Sequence, residues 1–275
     1  MAEIVGGFLL PHDPLIFQQA ERADEARRNR VRAAYRRIAE RVGALRADSA
    51  IVIGSDHYML FGPTCLPQML IVLDEAQGPL ERLPGIERGE IAVDTELAAW
   101  LHTRGRDAGF DWAVAKTLTV DHAIAIPHAL CIAPNRDVLT VPIYIASGVE
   151  PMIRMSRARQ LGAMIRDAVR SWPVDRRVVV FGSGGMSHWV GMAEMGRVGE
   201  DFDLEVLRHV AAGDLDTLAA YQDDALLARG GNGAFELRNF VCAMAAVGSC
   251  AGKVIAYEPA PEWITGLGFA ELEVR

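Results

Sequence analysis

The chain has 275 residues, 51% hydrophobic and 23% charged, which is enough apolar sequence for the core of one large globular domain and excludes a disordered or collagenous protein. Its 28 Lys and Arg against 36 Asp and Glu leave a formal charge of −8. With the basic residues scattered, that balance argues against a nucleic-acid partner, which calls for a net basic face.

In chain order, Ile4 to Leu10 is the first apolar run that reads as a buried strand. From Val31 the apolar positions Val31, Ala34, Tyr35, Ile38, Val42 and Leu45 follow helical spacing. Arg27, Arg28, Arg32, Arg36, Arg37 and Arg41 fill the remainder, and because Asp24, Glu25 and Glu40 interleave with them they read as a solvated helix face. Ala50 to Gly54 is a second strand. Asp94 to Thr103 reads as a helix, with Asp94 or Thr95 as its cap and Gly105 as its end. Leu139 to Ala146 is a third strand, Ser156 to Trp172 a helix capped by Ser156, and Arg177 to Phe181 a fourth strand. Phe202 to Ala212, closed by Gly213, and Ala234 to Val247, entered through Gly230, Gly231 and Gly233 with Asn232 as a capping residue, complete the helices. Strands alternating with helices predict an α/β fold: a single domain over residues 1–275 with a central, mainly parallel or mixed sheet flanked by helices.

Cys65, Cys131, Cys242 and Cys250 stand far apart with no C-x-x-C pair and read as reduced, mostly buried thiols. Glu3 occupies the place of a basic leader region, and the longest weakly polar stretch, Phe240 to Gly252, is too short to span a bilayer. The expectation is a cytoplasmic protein without a membrane partner.

The positions of the seven histidines separate structural residues from candidates for chemistry. His102 and His209 fall in the last turns of predicted helices, where the dipole favours positive charge. His12, His57 and His188 each fall just past the carboxyl end of a predicted strand, where α/β sheets place their ligands. His122 and His128 lie in the loop-like segment TVDHAIAIPHAL. Asp13, Asp56 and Asp121 are available to orient rings from behind. Histidines converging from several strand ends suit a zinc hydrolase, or a non-haem Fe(II) enzyme with two histidines and one carboxylate. Glu236, near the first turn of a largely apolar helix, is a candidate for that carboxylate.

Taken together, PHDP around His12, SDHY around His57, VDHAIAIP around His122, GSGGMSHW around His188, FELRNF around Glu236 and PEWITGLG near the C-terminus resemble the class III extradiol ring-cleavage dioxygenases, the group of the protocatechuate 4,5-dioxygenase beta subunit. The resemblance implies an α/β sandwich with Fe(II) held by His12, His57 and Glu236. It also implies His188 as catalytic acid or base and His122 as a second histidine touching the substrate hydroxyl or oxygen; it assigns His128 no role. A histidine suits proton exchange because its ordinary pKa of about 6.5 lies near neutrality. Trp263 and Thr265 are the expected substrate contacts, and the substrates a small catecholic or heteroaromatic diol and O2. The chain has no recognisable small helical segment of the kind that covers the site in some members, so a homo-oligomer or a separate small alpha-type subunit is expected to do so. The competing readings are a non-catalytic binding module on the same fold and a zinc-dependent hydrolase.

Overall fold

The computed structural model describes all 275 residues. Nine strands, β1 (Glu3–Leu10), β2 (Ser49–Gly54), β3 (Met69–Gly78), β4 (Gly89–Ile91), β5 (Ala113–Thr119), β6 (Leu139–Ile145), β7 (Arg177–Ser183), β8 (Cys250–Ala260) and β9 (Thr265–Val274), form one mixed sheet. Its order is β4-β3-β6-β2-β7-β1-β9-β8, with β5 also beside β3. The four central strands β6, β2, β7 and β1 are parallel. They are buried on both faces, so their sequences are near-continuous apolar runs, and these are the four strands expected. On the flanks β3 is antiparallel to β6, β9 to β1 and β8 to β9, while β5 runs parallel to β3.

The helices are α1 (Leu15–Gln18), α2 (Glu25–Ala44), α3 (Thr95–Asp107), α4 (His122–Pro127), α5 (Met155–Ser171), α6 (Glu200–Ala212), α7 (Leu215–Ala220), α8 (Asp223–Gly230) and α9 (Leu237–Val247). They cover both faces of the sheet. One apolar layer joins the sheet to α3, α5, α6 and α9, the other to α2 and α4. α9 is buried at every residue: it is apolar but for Arg238 and Asn239, whose side chains bond the carbonyls of Ile153, Phe235 and Ser183. α5 lies close against it at Gly162, where a Cβ would stand 2.1 Å from the Cys242 carbonyl oxygen.

Several local expectations change. Asp94 caps α3 by accepting from Leu97 N–H at 2.9 Å, but Gly105 lies inside that helix, which continues to Asp107. Gly105 makes room for an indole: a Cβ there would meet Trp112 Nε1 at 2.1 Å. His102 is therefore interior to the helix, whereas His209 does sit in the last turn of α6, 3.0 Å from Asp214. Ser156 is not a cap, because α5 begins one residue earlier at Met155. Gly213 ends α6 in the left-handed region, as expected. The segment TVDHAIAIPHAL is not a loop: Asp121 caps α4 by accepting from Ala123 N–H at 3.2 Å, and a π turn, His128–Ile132, follows. Asn232 opens a 3-10 turn, Asn232–Glu236, and its amide bonds Val190 N–H and C=O rather than capping a helix.

The arginine face of α2 is only partly solvated. Arg27, Arg30 and Arg41 pair with Glu262, Glu258 and Glu271 of the C-terminal β8–β9 region, while Arg32, Arg36 and Arg37 are exposed. The four cysteines are free; Cys65 is exposed and the others buried. No helix is long and apolar enough to cross a membrane.

Candidate active site

β2, β7 and β1 are neighbours, so the segments leaving their carboxyl ends bring His57, His188 and His12 to one place. Glu236 reaches the same place from the other direction, as the last residue of the 3-10 turn and the N-cap position of α9. His122 is the first residue of α4. The structure thus unites residues from the start, the middle and the last fifth of the chain.

Three donor atoms form the centre. His12 Nε2 and His57 Nε2 are 3.3 Å apart, and Glu236 Oε1 lies 3.2 Å from the first and 3.0 Å from the second. Donors set at right angles about 2.1–2.3 Å from a common centre stand about 3.0–3.3 Å apart, so this triangle has the size of one face of a coordination octahedron. The tautomers agree. Ser183 Oγ donates to the Ala123 carbonyl at 2.6 Å and therefore accepts from His12 Nδ1–H at 2.9 Å. The buried Asp121 carboxylate accepts from His57 Nδ1–H at 3.1 Å. Both Nε2 lone pairs are left free for the shared centre. Glu236 is fixed by Gly185 N–H at 2.6 Å and by the Ser55 hydroxyl.

Charge at the centre is unbalanced in a way that invites a cation. Burial disfavours a charged His57 ring, but the Asp121 and Glu236 carboxylates outweigh it and raise the imidazolium to about 10. Burial likewise works against the Glu236 carboxylate, and His12 and His57 more than compensate, holding it well below the usual range. Both directions mark a place where the carboxylates favour positive charge beside them, which a metal ion can supply.

The other two histidines flank this centre. The His122 ring lies 4.3 Å from that of His57 and 5.4 Å from that of His12, centroid to centroid. Burial and the neighbouring His57 hold His122 below its ordinary pKa although Glu81 accepts from its Nδ1–H. His188 Nδ1–H donates to the Met186 carbonyl at 3.1 Å, which leaves Nε2 as its basic atom. Burial lowers the pKa of His188, only partly opposed by Glu236. Its ring is gripped between glycines: a Cβ on Gly233 would come within 2.1 Å of it, and one on Gly185 within 2.2 Å.

The remaining sequence candidates separate. Thr265 is buried at the start of β9 and its backbone bridges that of His188, so it borders the cluster. Trp263 is fully buried, its indole donates to the Gln19 carbonyl at 3.0 Å, and it packs in the layer under α2. Of the aspartates, Asp121 orients His57, not its chain neighbour His122. Asp13 bonds Leu15 N–H, and Asp56 shapes the loop after β2 through Met59 and Leu60. His128 donates to or accepts from Thr140 Oγ1 at 3.1 Å, and burial pushes its pKa down to about 4. Ser55, Ser183 and Glu81 went unread in the sequence: Ser55 stands inside SDHY and Ser183 inside GSGGMSHW, whereas Glu81 has no local signal.

The family model of the catalytic LigB subunit of aromatic ring-opening dioxygenase matches residues 6–268. The chain belongs to this family. The resemblance to the extradiol ring-cleavage dioxygenases is borne out, and with it the reading of a ring-cleavage dioxygenase, against the zinc-dependent hydrolase and the binding module. Among curated relatives, a 2,3-dihydroxyphenylpropionate/2,3-dihydroxicinnamic acid 1,2-dioxygenase of a Rhodococcus species is 27% identical over 269 residues, covering 80% of this chain and 83% of the relative. One of the same description from Cupriavidus necator is 26% identical and covers 94% and 92%. A solved structure of an uncharacterized protein from Escherichia coli K12 shares the fold, with a TM-score of 0.64 at 13% identity, over 97% of this chain and 99% of that one. Enzymes of the family depend on a metal, and the nitrogen donors of His12, His57 and His122, all within 4.8 Å of one another, make a cluster that can hold one.

Proposed function

We propose that the protein is an Fe(II)-dependent extradiol dioxygenase that opens the ring of a small aromatic vicinal diol. The observation that carries the reading is the donor triangle of His12, His57 and Glu236 with two further histidines beside it. Two neutral nitrogens and one carboxylate on a single face are the donor set of non-haem Fe(II) oxygenases, which leave the opposite face open. Bound there, the iron would hold diol and dioxygen side by side and pass electrons between them.

The chain's own residues do the rest. His12, His57 and Glu236 are the metal ligands, and Ser183, Asp121 and the Gly185 N–H keep their donor atoms turned inward. His188 Nε2 takes the proton of a diol hydroxyl and later returns it as the ring opens, a double role open to a neutral imidazole whose Nδ1–H is already committed to the Met186 carbonyl. His122 Nε2, on the ring beside those of His57 and His12, holds a hydrogen bond to the second hydroxyl or to oxygen. Thr265 walls the site behind His188.

The names of the relatives make 2,3-dihydroxyphenylpropionate the first compound to try, followed by protocatechuate, gallate, aminophenols and dihydroxypyridines. The test is oxygen uptake by anaerobically prepared, Fe(II)-loaded protein, with product absorbance followed alongside. One O2 consumed per diol with a coloured ring-opened product is expected. Iron bound at one per chain without oxygen uptake on any compound would overturn the reading, and so would activity with zinc alone.

A further inference from the structure

Glu81 lies outside every motif of the sequence, in the turn GPLERLPG after β3, yet the fold delivers its carboxylate to His122. The delivery is built into the backbone. Val120 N–H donates to the Gln77 carbonyl and Leu80 N–H to the Val120 carbonyl, both at 2.8 Å, so the strand end leading to Glu81 and the segment leading to α4 are zipped together. Gly78 permits this approach: a Cβ there would stand 2.6 Å from Val120 Cγ2. On the far side of the turn Gln18 Nε2 donates to the Arg82 carbonyl at 3.2 Å, and Leu83 bridges Ile86.

One oxygen, Glu81 Oε1, accepts both the backbone N–H of His122, at 2.9 Å, and the ring Nδ1–H. Asp121 already caps α4, so the cap does not need Glu81. Glu81 Oε2 is buried and meets no donor within the protein. Keeping a half-satisfied carboxylate inside is costly unless it orders something else. What it orders is the His122 ring: with Nδ1–H committed, Nε2 is the free nitrogen.

We propose that Glu81 is the positioning residue of His122, fixing its Nδ1–H tautomer and ring plane so that Nε2 meets the reacting diol and oxygen. This rests on the dioxygenase reading above. A misset ring is felt in the reacting state more than in substrate binding, so kcat carries the effect and KM does not.

The experiment compares wild type with Glu81→Leu, which removes the acceptor, and Glu81→Gln, which keeps size and an acceptor oxygen. It measures steady-state kinetics, metal content, and the histidine ring 15N–1H correlations of the Zn(II)-loaded full chain. Glu81→Leu is expected to keep its metal, lose about 100-fold in kcat with KM within about threefold, and convert His122 from one tautomer to a mixture. Glu81→Gln is expected to recover at least about tenfold of that loss and to retain the tautomer. Should the leucine variant not fold, the glutamine variant and Glu81→Ala carry the measurement. Wild-type kcat in Glu81→Leu, a loss that tracks missing metal, or an unchanged tautomer would overturn the proposal. If wild type turned over no diol while the tautomer still changed in Glu81→Leu, the dioxygenase reading would fall and the positioning of His122 by Glu81 would stand.

Discussion

At the scale of single residues, the proposed function divides the site into side chains that would hold a cation and side chains that would handle protons. His12 points Nε2 at the centre, whereas His188 spends one nitrogen on the Met186 carbonyl and keeps the other free beside it. His12→Ala is therefore expected to lose bound iron, and His188→Ala to keep iron at one per chain while turnover falls about 100-fold or more. Metal analysis beside oxygen uptake checks both, and normal turnover in His188→Ala would remove that residue from the proton path. The five clustered residues were legible because each stands at a strand end or helix start inside a local motif. Their supports were legible only in part. Asp121 was visible as a neighbour of His122, but its carboxylate turns to His57, 64 positions away along the chain. Pairings of that kind are set by how β2 and α4 pack, which no local pattern encodes.

Among elements, two contacts decide how firmly the site is held. α9 carries Glu236 at its N-terminal end and presses on α5 at Gly162, with the Ala245 Cβ also only 2.7 Å from where a side chain would begin. Gly162→Ala is expected to force the two helices apart and destabilise the fold by about 1–3 kcal/mol, read from urea unfolding midpoints. The segment carrying His188 is held from α6: the buried Asp203 accepts from Ser187 N–H, Ser187 Oγ and Tyr257 OH, each at 2.8 Å. Burial raises this carboxyl from 3.8 to about 6 against the pull of those donors. The folded chain then binds the extra proton in that window, so the contribution of Asp203 to stability is greatest below about pH 4 and is lost as pH rises through about 6. The stability of wild type relative to Asp203→Asn is thus expected to fall between about pH 4 and pH 7, and a flat difference would contradict it. The four parallel strands and the long helices were plain in the sequence. β3, β4, β5, β8 and β9 were not. β3 loses its apolar run at Asp74 and Glu75, β5 alternates weakly around Lys116, β8 contains Lys253 and Pro259, and β9 carries Gly266, Gly268 and a buried Glu271 that only its pairing with Arg41 explains.

For the molecule as a whole, a metal at the cluster would join the segment after β1, the segment after β2 and the start of α9. Any ion bound by the folded chain and not by the unfolded one stabilises it, by about 2.7 kcal/mol when present at about 100 times its dissociation constant. Fe(II) under anaerobic conditions is expected to raise the thermal midpoint of wild type by about 5 °C or more. His12→Ala and Glu236→Ala should show no such rise, and an equal rise in all three would place the metal elsewhere. The ends of the chain are tied independently of the cluster, since α2 reaches the C-terminal hairpin through Arg27, Arg30 and Arg41.

The position of β1 between β7 and β9 bears on how the protein is made. Once made, β1 has no neighbour until residues 177–183 appear, and its second arrives only with residues 265–274. At about 5–20 residues per second of synthesis, β1 waits roughly ten to thirty seconds as an apolar segment with both hydrogen-bonding edges open, the condition under which nascent chains pair with one another. Glu236 emerges later still, so a metal ion held by His12, His57 and Glu236 together would be captured only after β1, β2 and β7, the strands that bring the two histidines into place, have all been made.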